Sequence, residues 1–139
     1  MRRFFCCALA AASVMLLAAC GGPLKYNIAS SRLAPGADAE LVAEVNDDQN
    51  QTLVNFQAKN LPPPGRVNPN GKHYVAWQRK GNDGVWARLG TVLFDEEKRT
   101  AQIQATVPER SFEFEVSVEA NESVSSPSAD VVFSQRVAK

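Results

Sequence analysis

Phe112–Glu119, with the sequence FEFEVSVE, alternates without a break between apolar and polar residues. In an extended strand successive side chains point to opposite faces, so this alternation predicts a β-strand with one apolar and one polar face. Shorter alternating segments predict further strands at Leu41–Val45, Val54–Lys59, Tyr74–Arg79 and Ala101–Val107. Val85–Phe94 predicts a less regular strand or strand pair with Gly90 as a candidate bulge, and Val131 with Phe133 marks a last strand.

Turn-forming residues separate these segments. Asn46–Asp48, Leu61–Gly65, Asn68–Gly71 and Gly81–Gly84 are rich in the residues that favour tight turns. No segment after the first 19 residues shows sustained helical periodicity. We therefore predict an all-β fold: a single antiparallel immunoglobulin-like β-sandwich of about seven strands.

The first 20 residues have a different character. Arg2 and Arg3 precede the apolar stretch Phe4–Ala19, which is shorter than the roughly 20 residues of a membrane-spanning helix. The stretch ends in Leu17-Ala18-Ala19-Cys20, which resembles the lipobox of bacterial lipoproteins. This resemblance implies that residues 1–19 are removed and that acyl chains on Cys20 anchor the protein in a membrane. A conventional signal peptide with an unrelated cysteine is the alternative.

The lipobox resemblance also predicts where the protein resides and how it is organised. Gly21, in place of an aspartate, favours the outer membrane of the cell envelope and leaves open whether the protein faces the periplasm or the surface. Residues 1–19 form the signal peptide, 20–38 the lipidated cysteine and a tether, and 39–139 the sandwich. The tether contains a candidate edge strand near Lys25–Leu33, and about 18 flexible residues would reach roughly 20–25 Å.

Composition excludes several classes of function. The chain has 15 basic and 15 acidic residues, and the signal peptide holds two of the basic ones, so the mature part is slightly acidic. This balance predicts no nucleic-acid partner. The three cysteines are Cys6, Cys7 and Cys20, so no disulfide is expected after processing.

No residue pattern predicts catalysis, a cofactor or a metal, and we expect no enzyme activity. His73 is the only histidine, and the chain has no Gly-x-Ser-x-Gly motif. One histidine and no spare thiol make a zinc site improbable. The acidic residues Glu113, Glu115 and Glu119 alternate along one strand, which is typical of a solvated face rather than a calcium site.

The two tryptophans have different expected roles. Trp77 lies on a middle strand and is expected to pack in the core. Trp86 follows the Gly81–Gly84 turn near Arg79 and Arg88, and these three residues are the candidate partner contact.

These expectations describe a non-enzymatic binding or sensor-like module whose partner is an envelope protein, peptide or glycan. The alternatives are a structural spacer or accessory subunit of an envelope complex, and a hydrolase inhibitor that presents Leu61–Gly65 as a rigid loop.

Two family resemblances support a sandwich. Leu61–Pro64, Tyr74–Trp77, Leu89–Val92 and Val116–Glu119, followed by Pro127-Ser128, resemble the extracytoplasmic domain of anti-sigma-K-type factors. That family has a sigma-binding segment and a spanning helix before its sandwich. Here only the signal precedes it, so we expect no sigma-factor contact and carry over no functional residues.

A rival resemblance is to fibronectin type III domains. It is carried by Tyr74–Lys80 with Trp86 and Leu89-Gly90, and by Phe112–Val116 with Asn121 and Ser126–Ser128. Both families imply the same class of fold.

Overall fold

The computed structural model describes residues 22–82 and 84–139. This part of the chain is all-β apart from one turn of helix, α1 (Pro64–Val67), and its nine strands form two antiparallel sheets. The strands are β1 (Leu24–Ala29), β2 (Asp38–Asn46), β3 (Gln51–Lys59), β4 (His73–Arg79), β5 (Ala87–Thr91), β6 (Leu93–Asp95), β7 (Thr100–Val107), β8 (Phe112–Glu119) and β9 (Val131–Val137).

The two sheets pack as an immunoglobulin-like sandwich, which confirms the predicted fold class. The five-stranded sheet has the order β1-β2-β3-β7-β6, and the four-stranded sheet has the order β5-β4-β8-β9. The chain changes sheets between β3 and β4, between β5 and β6, and between β7 and β8. These crossovers give the two-sheet topology typical of the fold.

The sandwich has two strands more than predicted. Val85–Phe94 divides into β5 and β6, which belong to different sheets. The predicted bulge lies at this strand: β5 pairs with β4 through Gly90 opposite Ala76 and Arg88 opposite Trp77, so Leu89 has no partner in the register. A Cβ on Gly90 would lie 3.2 Å from Ile103 of β7, which shows how closely the two sheets approach there.

The other additional strand, β1, lies inside the range assigned to the tether. It pairs with β2 along its whole length, from Leu24 opposite Ala43 to Ala29 opposite Asp38, and Ile28 is buried in the core. The prediction of a tether is therefore wrong for residues 24–38, and the sandwich starts at Leu24 rather than at residue 39. The candidate edge strand near Lys25–Leu33 overlaps β1, so an edge strand is present as predicted, with its start at Leu24 and its end at Ala29.

Apolar side chains from both sheets fill the space between them. Phe56 of β3 lies 5.4 Å from Phe114 of β8 and 5.5 Å from Phe133 of β9, measured between ring centroids. All three rings are almost completely buried. Burial of this apolar surface is the main favourable contribution to folding, at about 25 cal/mol per Å².

Candidate functional site

Strand β4 is buried on both of its faces. Tyr74 and Ala76 belong to the core cluster between the sheets, and strand alternation therefore places Val75 and Trp77 on the outer face of the four-stranded sheet. Both are nevertheless completely buried, at 0% exposure. The prediction that Trp77 is a packing residue is confirmed by its burial, and its side chain packs on the outer face of the sheet rather than in the cluster between the sheets.

A hydrogen-bonded chain holds Trp77 on this outer face. Its indole N–H donates to the Ser117 hydroxyl at 2.8 Å, and the Ser117 hydroxyl donates to the Glu119 carboxylate at 2.9 Å. The backbone N–H of Ser128 donates to both oxygens of that carboxylate, at 3.1 and 3.0 Å. The loop after β8 therefore folds back onto the outer face, and each polar group of the chain has a partner.

The acidic residues of β8 do not form the solvated face that their spacing predicted. Glu115 and Glu119 are only 8% and 5% exposed, and Glu113 lies 3.6 Å from Arg136 of β9. Burial raises the pKa of Glu115, while the nearby positive charge of Arg79 opposes this shift and the charges of Glu119 and Glu113 add to it. The sequence thus correctly predicted that Glu113, Glu115 and Glu119 share one face of β8, but that face is packed rather than solvated.

The hairpin between β4 and β5 brings together the residues of the predicted partner contact. The guanidinium carbon of Arg79 lies 4.5 Å from the ring centroid of Trp86, a cation–π contact. Arg88 lies opposite Trp77 in the register, and its guanidinium donates to the Thr91 hydroxyl at 2.7 Å. The structure thus places Arg79, Trp86 and Arg88 on one side of the hairpin.

Val85 is the residue of this region that the sequence reasoning missed. Its side chain is 90% exposed, the highest value among the exposed large hydrophobic residues. It directly precedes the half-buried Trp86. An apolar residue next to a tryptophan, directly after a turn made of Gly, Asn and Asp, was the available signal. We call Arg79, Val85, Trp86 and Arg88 the hairpin surface.

The backbone fixes the shape of this hairpin. Gly81 has a φ of 61°, a left-handed conformation that glycine adopts without strain. At Gly84 a Cβ would clash with the backbone of Lys80. Both glycines are therefore required for the turn that presents Val85 and Trp86.

Two polar atoms at this end of β4 are buried without a hydrogen-bond partner among the described residues, namely Arg79 Nε and Gln78 Oε1. An unpaired buried polar group costs about 1–3 kcal/mol. Arg79, whose guanidinium stacks on Trp86, therefore retains one donor with no partner among the described residues.

The single histidine and the acidic residues were also considered as candidate sites. His73 lies 4.0 Å from Glu122, and both side chains are partly exposed. Within residues 22–82 and 84–139 no three side chains of His, Cys, Asp or Glu are grouped to hold a metal ion.

The proline-rich loop is packed rather than projecting. Leu61 is completely buried, the Leu61 carbonyl accepts from Arg99 Nε at 3.3 Å, and the Pro62 carbonyl accepts from the Tyr74 hydroxyl at 2.5 Å. Burial raises the pKa of Tyr74 above its ordinary value. This packing does not favour the use of Leu61–Gly65 as a presented inhibitory loop.

Cys20, the predicted lipidation site, lies outside the described residues. In the part that the structure describes, no helix has the length and apolar character needed to cross a membrane.

No protein-family model, curated protein or solved structure matches this chain. The anti-sigma-K and fibronectin type III resemblances therefore remain predictions.

Proposed function

We propose that the protein is a lipid-anchored, non-enzymatic module of a bacterial cell envelope, held through Cys20, which binds an envelope component through the hairpin surface. The observation that carries this proposal is the stacked Arg79–Trp86 pair beside the exposed Val85. Tryptophan and arginine are the residues that most often dominate binding energy. The stack holds both in place before a partner arrives, which lowers the entropic cost of binding.

The outer face of the four-stranded sheet supports binding rather than catalysis. Ser117 is completely buried, and its hydroxyl is committed to Trp77 and Glu119. A nucleophilic serine must reach its substrate. The polar chain therefore positions the sheet and its loop, and the hairpin surface remains for contact with a partner.

The proposal is tested by photo-crosslinking in intact cells. A photoreactive amino acid at Arg88 should capture an envelope protein, peptide, glycan or lipid, and the same amino acid at the exposed Gln57 on the opposite sheet serves as the matched control. An adduct that depends on position 88 and disappears in Trp86→Ala supports the proposal. The absence of any adduct at position 88, with the protein folded and in the membrane fraction, would contradict it.

The spacer hypothesis makes a different prediction in the same experiment. A spacer would associate with its complex in a way that depends on Cys20 and is indifferent to Trp86. A Cys20→Ser variant of the crosslinking protein separates the two hypotheses.

A further inference from the structure

The hairpin lies at one end of the sandwich together with two other turns and the last residue of the chain. Lys80 of the hairpin lies 3.9 Å from Glu109 in the β7–β8 turn, and Arg110 of that turn lies 3.5 Å from Asp47 in the β2–β3 turn. Lys139 also contacts Asp47. We call this end the hairpin end.

The start of β1 points toward the same end. Leu24, the first residue of β1, lies opposite Ala43 of β2. Ala43 is three residues before Asn46, the last residue of β2, which pairs with Gln51 next to the β2–β3 turn. At 3.4 Å per residue, the distance from Leu24 to that turn is roughly 10 Å. Three residues lie between Cys20 and Leu24, and the four steps from one Cα to the other span at most roughly 14 Å. The chain before β1 is therefore just long enough to reach the hairpin end, and too short to hold the sandwich well away from a membrane.

This proximity changes which partner of the hairpin surface we favour. We propose that the hairpin surface docks on the phospholipid headgroup layer of the membrane in which Cys20 is anchored. The inference rests on the proposed function, because it requires the acyl chains at Cys20. The envelope component that the hairpin surface binds would then be the membrane itself, and the protein would contact the membrane both through Cys20 and through the hairpin surface.

The chemistry of the hairpin surface fits a lipid interface. Tryptophan is enriched where membranes meet water, because its ring is apolar and its N–H is polar. Val85 extends this apolar tip into solvent, and Arg88 and Arg79 flank it with positive charge that attracts anionic headgroups. Of the acidic residues of this end, Asp47 and Glu109 are paired with cations, Asp48 in the β2–β3 turn is exposed, and Asp83 is the acidic residue of the Gly81–Gly84 turn.

The far end of the sandwich provides the matched control. It carries the 30–37 connection, α1 and the loop of residues 120–130, which follows the last residue of β8. Ser125 in that loop is exposed. A membrane that holds Cys20 and touches the hairpin end should not reach Ser125.

The test uses tryptophan fluorescence on vesicles. The protein, purified from membranes with its acyl chains, is reconstituted into phosphatidylethanolamine–phosphatidylglycerol vesicles in which some lipids carry bromine near the headgroup. Bromine quenches a tryptophan only at close range. We expect quenching in the wild type and its loss in Trp86→Phe, because the remaining Trp77 is completely buried. Adding Ser125→Trp to Trp86→Phe should not restore it.

Two further measurements distinguish a protein that is not acylated at Cys20 from one whose hairpin surface does not contact the membrane. Intact-mass spectrometry reports whether Cys20 is acylated. In parallel, the mature chain is coupled through Cys20, its single thiol, to a maleimide lipid in the same vesicles, so the docking is tested even if natural acylation is absent.

The outcomes are distinct. Absence of Trp86 quenching in vesicle-coupled protein, or equal quenching at residue 125, would overturn the docking and leave the anchor intact. Val85→Ser should reduce the quenching without affecting the fold, since Val85 is almost fully exposed. If a photoreactive group at Val85 captures a protein in cells and no lipid, the hairpin surface has a protein partner and the inference is wrong.

Discussion

The outer faces of the two sheets carry similar alternating patterns and have opposite environments. On the five-stranded sheet, Asn55 and Gln57 of β3 lie opposite Gln104 and Gln102 of β7, and all four side chains are exposed. On the four-stranded sheet, Trp77, Ser117 and Glu119 occupy the equivalent outward positions and are buried. One outer face is a solvated surface, and the other is a second packed layer.

Alternation therefore determines which side chains of a strand share a face, but it does not determine whether that face is exposed or buried. A polar residue every second position predicts which side chains share a face. Whether water or another part of the chain covers that face depends on contacts distant in sequence. The loop that reaches Glu119 through Ser128 is such a contact.

The substitution with the largest expected effect on stability is Trp77→Ala. Removing a completely buried tryptophan should lower the free energy of unfolding by about 3–5 kcal/mol. Gln57→Ala, at an exposed position of the other sheet, should change it by no more than about 0.5 kcal/mol. Urea denaturation of both variants measures the difference. Similar values for the two would show that the outer face around Trp77 is not a packed layer.

The next effect concerns the polar chain beside Trp77. Glu119→Ala should lower the free energy of unfolding by about 1–3 kcal/mol, because Ser117 and the Ser128 N–H lose their buried acceptor. Gln104→Ala is the matched control on the solvated face and should have almost no effect. Faster amide hydrogen exchange at Ser128 in Glu119→Ala would locate the loss. A neutral result at Glu119 would contradict the hydrogen-bonded chain.

A smaller effect should depend on pH. Because burial raises the pKa of Glu115 in the folded state, this residue stabilises the protein below its ordinary pKa, and that contribution is lost as the pH rises through the folded-state value. Glu115→Gln should therefore have little effect in acid and should stabilise the protein at neutral pH. Denaturation across the pH range checks the sign, and a variant that is less stable at neutral pH would contradict it.

The smallest effect on stability is expected at the hairpin surface. Trp86→Ala removes one partly exposed cation–π contact, which is worth about 0.5–1 kcal/mol. The same substitution should abolish crosslinking at position 88 and contact with lipid. Thermal unfolding and vesicle binding, measured together, distinguish this binding role from the structural role of Trp77.

Much of the sandwich could be predicted from alternation and turn residues. The strands β2, β3, β4, β7, β8 and β9, the bulge beside Gly90 and the closeness of Trp86 to Arg79 all follow from local pattern. β1 was recognised only in part, as a candidate edge strand near Lys25–Leu33 within the tether, because its few apolar residues lie among Gly, Ser and Pro. The face of Trp77 was also ambiguous, because both alternating sets of the strand, Tyr74 with Ala76 and Val75 with Trp77, are apolar, so the alternation does not say which set faces the core.

The site was less predictable than the fold for the same reason. The spacing of Glu115 and Glu119 is that of a solvated strand face, and only the loop folded over β8 makes them buried. The exposure of Val85 depends on how the Gly81–Gly84 turn closes. These are tertiary contacts, and a local pattern of residues does not contain them.

The proposal on which the others depend is that this sandwich is held at a membrane through Cys20. Intact-mass spectrometry of the protein extracted from cell membranes tests it most directly, with Cys20→Ser as the control. We expect a chain that begins at Cys20 and carries the added mass of a diacylglycerol and a further acyl group, and no such species in Cys20→Ser. A mature chain with an unmodified Cys20, or one cleaved at another residue, would contradict the claim.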